Sequence, residues 1–413
     1  MTWKIYNEGF MKGISWINML KLRASIGVTG SDTITDELYS AYSPNSTLVK
    51  FDQNTTTFVP VYLSSQEYSD ITWQKTIMKN IGLDFVVLDN RLSGSFDIFA
   101  NDITDMLTYG NTSALDIMGS KPINYGHIRR HGWDATITSQ NIVKHDFNWS
   151  STLTLSRYKA YWIEREPNYT YGNDYQIREN EPTSISYFYE TDGFILPDKS
   201  NMPSYQPEGW QDPGQPVIVD QNGDGTITID DIVHKDGFPT LYLGFGNTFQ
   251  YKNWDLDIFM YSQLGVVKGN TLSSWSSIND IYNAERNQSI YVKDIYHSTD
   301  NYKDAKYPGI ANALMASAPL PGNCGTDLGR EKADFLRVRN ITLGYNFNTR
   351  RLGIGNVCNA LRLYFDVQNP FTFTSFRVFD PEINTHGNAG GKANGGEYPM
   401  TRSWSVGLKV SFN

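Results

Sequence analysis

The last strand-like segment of the chain alternates without a break. Trp404, Val406, Leu408, Val410 and Phe412 fall on one face of an extended backbone, and Ser403, Ser405, Gly407, Lys409 and Ser411 fall on the other. A period of two marks a strand whose two faces meet different surroundings. A globular strand averages about five or six residues. This one is about ten, the length a tilted strand needs to cross a bilayer.

The same pattern recurs along the chain. Phe147, Trp149, Leu153 and Leu155 alternate with Asn148, Ser150, Thr152 and Thr154. Trp254, Leu256, Ile258 and Met260 alternate with Asp255, Asp257, Phe259 and Tyr261. Leu361, Leu363, Phe365 and Val367 alternate with Arg362, Tyr364, Asp366 and Gln368. Ten strands are expected, over residues 19–28, 80–88, 92–105, 132–139, 146–158, 241–251, 254–265, 335–348, 361–369 and 402–413, the first and eighth being the least regular. Short connections alternate with long ones, the long ones at 29–79, 106–131, 159–240, 266–334 and 370–401. In an up-and-down antiparallel meander this puts every long loop on one side, as in outer-membrane barrels. The expected fold is therefore all-β: a transmembrane β-barrel wall with an apolar outer face and a polar lumen. The competing reading is a soluble sandwich or propeller, in which the same apolar residues would form a buried core.

Composition narrows the function classes. The 413 residues carry 44 acidic and 35 basic side chains, a net charge of −9, which argues against a nucleic-acid partner. No apolar run approaches the ~18 residues of a membrane helix, a test that does not bear on barrels. Two cysteines, Cys324 and Cys358, form neither a disulfide framework nor a metal spacing. The start, Met1 to Glu8, lacks the apolar segment and cleavage site of a signal peptide.

One motif has ligand chemistry. In Asp220-Gln221-Asn222-Gly223-Asp224-Gly225-Thr226-Ile227-Thr228-Ile229-Asp230-Asp231, oxygen-bearing residues stand at positions 1, 3, 5, 7, 9 and 12 of a calcium loop, with glycine at 6. The expected ligands are Asp220, Asn222, Asp224, Thr226 through its carbonyl, Thr228 through water, and Asp231. Position 12 is Asp rather than the longer Glu, and Pro213 and Pro216 leave no preceding helix, so the ion would pin a loop rather than drive a switch. An ion-free, glycine-rigidified Asx turn is the alternative.

Other constellations are weaker. His127 and His131 lie four apart but lack the Glu of a zinc helix motif, and read as solvated loop histidines. Asp380 and Glu382 flank Pro381 and read as a turn, not a glycosidase pair. The glycine-rich run from Gly387 to Gly396 lacks the Ser/Thr of a phosphate loop. Trp73, Tyr187, Phe188, Tyr189, Trp210, Trp275 and Tyr291 are loop aromatics suited to packing or to contact with a substrate or lid. No catalytic centre is expected.

Several segments resemble one family. Lys21-Leu22-Arg23-Ala24-Ser25, Asn80-Ile81-Gly82-Leu83-Asp84-Phe85, Asn90-Arg91-Leu92, the Asp220 loop, Phe335-Leu336-Arg337-Val338-Arg339-Asn340 and Phe379-Asp380-Pro381-Glu382 occur in the order they take in SusC/RagA-type TonB-linked outer-membrane transporters of Bacteroidetes. The resemblance spans residues 1–413 but matches only the C-terminal part of that family. It implies about the last ten strands of a 22-stranded barrel, with the plug, the TonB-contacting segment and the signal peptide absent. It further implies a multi-pass protein of the outer membrane that imports glycans or peptides, energised through the TonB complex and capped by a SusD-like surface lipoprotein lid. The competing function is a secreted, calcium-stabilised glycan-binding or glycan-cleaving β-protein.

Overall fold

The computed structural model describes residues 1–31, 41–44, 49–50, 57–58, 61–65, 70–111, 120–165, 174–176, 179–269, 293–296, 303–308, 319–376, 380–382 and 400–412. Its frame is one antiparallel sheet of eleven strands in sequence order. They are β1 (Thr2–Lys4), β2 (Ile17–Ser31), β3 (Gln74–Val87), β4 (Leu92–Thr104), β5 (His127–Val143), β6 (Phe147–Glu164), β7 (Leu241–Tyr251), β8 (Trp254–Leu264), β9 (Phe335–Phe347), β10 (Cys358–Thr374) and β11 (Ser403–Phe412). Each strand pairs with its neighbours in the chain, and β1 and β11 form the two edges.

All ten expected strands are present, and five of them are longer than expected. β5 and β6 reach 17 and 18 residues. Most of the added length lies on the long-loop side, so the third long connection begins at residue 165 rather than 159 and His127 and His131 belong to β5 rather than to a loop. The eleventh strand, Thr2–Lys4, has too few residues to show alternation.

The cross-strand register lines up the apolar residues of successive strands. One row runs Phe245, Met260, Val338 and Phe371, another Leu256, Leu343, Phe365 and Val406, and a third Leu363 beside Leu408. At the short-turn end lies an aromatic row of Phe147, Tyr251, Trp254 and Tyr345, with the Trp254 and Tyr345 rings 4.7 Å apart. At the other end stand Phe371, Phe373 and Trp404. Amphipathic rings at two levels bounding an apolar band suit the two interfaces of a bilayer. Ten residue steps along β8 at ~3.4 Å and a tilt of about 45° span roughly 24 Å, the height of such a band. Ile26 is 75% exposed, Val406 73% and Leu408 63%, so this face is not the core of a sandwich.

The opposite face is polar and ion-paired. Arg23 bridges Asp84 and Asp97 at 2.9 and 2.8 Å, and Lys21 joins Asp84 at 2.5 Å. Gly82 lies beneath this bridge; a Cβ there would meet the Asp97 carboxylate at 2.2 Å and the Arg23 guanidinium at 2.6 Å. Arg362 pairs with Asp255 across Gly344 in the same manner.

Short turns join the strands at one end. Lys252 and Asn253 alone connect β7 to β8, with Lys252 at φ 54°, and Leu88, Asp89 and Asn90 all take positive φ between β3 and β4. The long connections carry two-stranded hairpins, among them Ile185–Phe188 with Val233–Asp236, Thr191–Phe194 with Pro216–Ile218, and Val267–Gly269 with Arg330–Lys332.

Candidate functional site

The polar face of β5 to β9 forms a concavity of about 610 Å³ near the long-loop end. Asp134, Ser156 and Tyr242 occupy one cross-strand row, and Gly244 is paired with Tyr261. Phe259 and Tyr261 stand side by side on β8, their rings 6.5 Å apart and nearly parallel. Small neighbours make room for them: Gly244 and Gly246 leave the Phe259 ring in contact with the opposing backbone. Tyr242 stacks on Tyr158 at 5.5 Å, and the Arg130 guanidinium lies 4.0 Å above the Tyr158 ring. The wall thus offers flat apolar rings among hydroxyl and carboxylate acceptors. That combination suits a polar ligand with both apolar and hydrogen-bonding surfaces.

Arg339 and Glu382 complete the lining. Arg339 is the extra residue of a bulge: Met260 pairs with Val338 and Phe259 with Asn340, leaving Arg339 unpaired in the ladder. A bulge re-aims a side chain that regular alternation would place elsewhere. Here it gives Arg339 a place on the cavity wall and a hydrogen bond to Asn369 at 3.1 Å.

Asp380 and Glu382 hold loop to wall. Arg337 on β9 is fully buried and pairs with both carboxylates, with Glu382 at 2.8 Å. Tyr261 donates its hydroxyl proton to Glu382, and Asp380 accepts the backbone N–H groups of Glu382 at 2.9 Å and Met400 at 3.2 Å. Uninterrupted alternation from Leu343 and Ile341 would put Arg337 on the apolar face; the bulge at Arg339 turns it to the polar side, and the fold brings it to partners 43 and 45 residues downstream.

The long connections build a compact external module. Tyr175, Tyr189, Trp210, Ile218, Ile232, Leu320 and Cys324 form its buried core, with Tyr187 and Ile227 packed against it. Tyr189 donates its hydroxyl proton to the carbonyls of Thr228 at 2.8 Å and Pro321 at 3.1 Å. Of the loop aromatics, Tyr187, Phe188, Tyr189 and Trp210 are therefore packing residues. Trp73 is 59% exposed, while Trp275, Tyr291 and the run from Gly387 to Gly396 lie outside the described residues. Both cysteines are free and buried, and burial pushes the Cys324 thiol up.

The Asp220 loop is wound by its own side chains. Asp220 accepts from Gly223 and Gly225 at 2.7 and 2.8 Å. Asp231, fully buried, accepts from Gln221 at 2.9 Å and Thr228 at 2.8 Å, closing a capping box with Thr228. Hydrogen bonds from the Thr226 hydroxyl and N–H, and one from Asn222, hold the Asp224 carboxyl below the usual carboxylate range. The donor set is all oxygen, as a hard cation prefers. Among the described residues, no three His, Cys, Asp or Glu side chains gather into a metal-binding group.

The two histidines do not form a metal pair. His127 contacts Asp102 at 3.0 Å, and His131 stacks on Tyr161. Residues four apart on a strand share a face but sit about 13 Å from each other, too far to share an ion.

Residues 13–182 match the family model described as TonB dependent receptor-like, beta-barrel. The chain is 27% identical to TonB-dependent receptor P3 of Formosa agariphila, covering all of this chain and 41% of that protein. It is 26% identical to TonB-dependent receptor SusC of Bacteroides thetaiotaomicron, again over the whole chain and 39% of the relative. Among solved structures, the RagAB peptide importer in its open-open state superposes with a TM-score of 0.75 at 22% identity, over the whole chain and 42% of that protein. The chain spans about two fifths of the length of these relatives.

Proposed function

We propose that this chain is part of a TonB-dependent receptor β-barrel of the SusC/RagA type, and that the intact protein imports an oligosaccharide across the outer membrane. The observation that carries the reading is the lumenal wall of Tyr242, Phe259 and Tyr261 set among Asp134, Ser156 and Gln263. Sugar rings present apolar faces to aromatic planes and hydroxyls to such acceptors. Close by, Arg337 is committed to Asp380 and Glu382.

On this reading, a SusD-like surface lipoprotein covers the long-loop side, and the TonB complex supplies the energy through parts of the protein beyond this chain. Barrel and lid would hold the ligand between them, with the external module at the rim.

Uptake of labelled oligosaccharide by cells lacking the gene, complemented with wild type or with Tyr242→Ala or Phe259→Ala, tests the proposal. The expected result is uptake restored by wild type and reduced about tenfold by each substitution, equivalent to the ~1.4 kcal/mol loss of one ring contact. Uptake of labelled peptides but not sugars would replace the glycan reading with a peptide one.

We also propose that the Asp220 loop takes a calcium ion on Asp220, Asn222, Asp224 and Asp231, with Thr226 and Thr228 completing the set. The ion would pin the loop and take no part in transport. Calcium should raise the thermal midpoint of the wild-type protein and leave Asp224→Ala unchanged; an equal rise in both would exclude this site.

A further inference from the structure

The sequence holds two Asn-Gly dipeptides, Asn222-Gly223 and Asn394-Gly395. The first lies among the described residues, in the exposed stretch from Gln221 to Thr226. Gly223 takes φ 74°, which glycine adopts without strain, and no described atom lies within 4 Å of the place its Cβ would fill. The nitrogen of this residue is therefore unhindered by any side chain, and water reaches it.

Three hydrogen bonds give the surrounding groups distinct roles. The Gly223 N–H donates to Asp220 at 2.7 Å, so a proton acceptor already stands on that nitrogen. The Asn222 side-chain carbonyl accepts the Asp224 N–H at 2.9 Å. That donor is placed where negative charge develops when the side-chain carbon is attacked. The Asn222 amide nitrogen donates to the Asp224 carboxylate at 3.0 Å, which holds the amide in one orientation beside the neighbouring backbone. Holding two reacting groups in place lowers the barrier between them.

We propose that Asn222 is a self-modifying site, converted in the folded loop to a carboxylate through a cyclic imide. The Gly223 nitrogen attacks Cγ of Asn222, forming the N–Cγ bond, and its proton passes to solvent through Asp220. The tetrahedral intermediate collapses as the Cγ–Nδ2 bond breaks, and the amide nitrogen leaves as ammonia with a proton taken from water. Water then opens the ring. Opening at Cγ gives aspartate; opening at the backbone carbonyl gives isoaspartate, in which the chain runs through the side chain and is one methylene longer. The sum is an amide and water giving an acid and ammonia, with no change of oxidation state. Both products place a new carboxylate beside Asp220 and Asp224. Isoaspartate also shifts the N–H groups of Gly223 and Gly225 away from Asp220, which accepts them at 2.7 and 2.8 Å. The disturbance lies four residues from Ile227, which packs against the module core. Newly made and aged protein thus differ in this loop without the action of any enzyme.

The test incubates the full-length protein, purified in detergent, at mildly alkaline pH in the presence of a chelator. Conversion at Asn222 is followed by peptide mapping with mass spectrometry, and isoaspartate by methyltransferase labelling. Folded wild type should convert at least as fast as the same chain unfolded in guanidinium. Asp220→Asn should slow conversion about tenfold in the folded protein, the share of a weak proton acceptor, and leave the rate in the unfolded chain unchanged. An Asn222 that survives in folded wild type while it converts in the unfolded chain would overturn the proposal. So would a folded Asp220→Asn protein that converts as fast as wild type. The inference rests on the loop's hydrogen bonds and not on the calcium reading, and the two fail separately. Calcium held as proposed above takes Asp220 and the Asn222 carbonyl as ligands and should slow the wild-type conversion; one rate with and without calcium would overturn the calcium reading and leave this one standing.

Discussion

Arg337 on β9 holds the carboxylate of Glu382 at 2.8 Å, joining the barrel wall to a segment 45 residues further along the chain. The arginine side chain is 1% exposed and that of Asp380, its second partner, 9%. Charges so deeply buried are stable only when paired, and removing one partner leaves the others uncompensated. Arg337→Met is expected to destabilise the folded protein by about 3–5 kcal/mol. Asp380→Asn combined with Glu382→Gln in the Arg337→Met background should restore much of that loss, because it removes the orphaned carboxylates. Heat-modifiability midpoints in detergent measure both effects. A double substitution that restores nothing would show that the carboxylates are not what Arg337 stabilises.

Gly82 sits beneath the Arg23–Asp97 pair with no room for a Cβ. Gly82→Ala must displace the Asp97 carboxylate and the Arg23 guanidinium, at a cost of about 1 kcal/mol, the low end of overpacking. Adding Asp97→Ala should relieve the clash at the expense of the ion pair. A chemical-denaturation comparison of the single and double variants separates steric from electrostatic loss.

Leu408 pairs with Leu363 on the apolar face and is 63% exposed there. Leu408→Arg is expected to cost about 2–4 kcal/mol if its row lies at the bilayer midplane, and less toward either interface. Gly407→Arg is no control, because its Cβ would meet the Tyr364 ring at 2.2 Å. Ser405→Arg, on the polar face, is. Equal membrane-assembly yields for Leu408→Arg and Ser405→Arg would invert the assignment of the two faces.

Asp327 in the external module supplies a pH test. Burial raises its carboxyl above 3.8, although the Thr191 hydroxyl donates to it at 2.7 Å. The folded state therefore holds the proton more tightly than the unfolded chain does. The resulting stabilisation is full below the unfolded value and is lost as pH rises through the raised folded value. Asp327→Asn keeps an acceptor for Thr191 and carries no charge. Relative to wild type it should gain stability as pH rises from the unfolded carboxyl value through the raised folded one, and show a constant difference above that. Thermal midpoints across that range decide the matter, and a pH-independent difference would show that burial is not the cause.

Much of this architecture was legible in the sequence because a strand between lipid and lumen cannot hide its period. Trp254, Leu256, Ile258 and Met260 face one way, and Asp255, Asp257, Phe259 and Tyr261 the other, as alternation requires. The irregularity of the eighth segment has a physical reason, the bulge at Arg339 in β9. The register shift of β2 lies between Ile17 and Met19, and its ladder is continuous from Met19 onward. Strand ends on the long-loop side are not legible by alternation, because polar and charged residues such as Arg129 and Tyr161 continue the outward face there. The Arg337 latch and the Tyr189 core were not legible, since each depends on partners brought close only by the fold. The Asp220 loop was legible as a motif because its ligands are local, and its internal hydrogen bonds follow that local spacing.

The Tyr189 hydroxyl reaches Pro321, 132 residues away in sequence, whereas every long strand pairs with its immediate chain neighbours. The two halves of the external module are carried on the far ends of β7 and β9, and the β7–β8 hairpin separates them. Closing so long a stretch of chain unaided carries a loop entropy that the hairpin removes once it has zipped. Assembly is thus ordered in time: wall first, module last. A slip in the register of β7 against β8 would move Tyr189 relative to Pro321 and delay the module without touching any residue inside it.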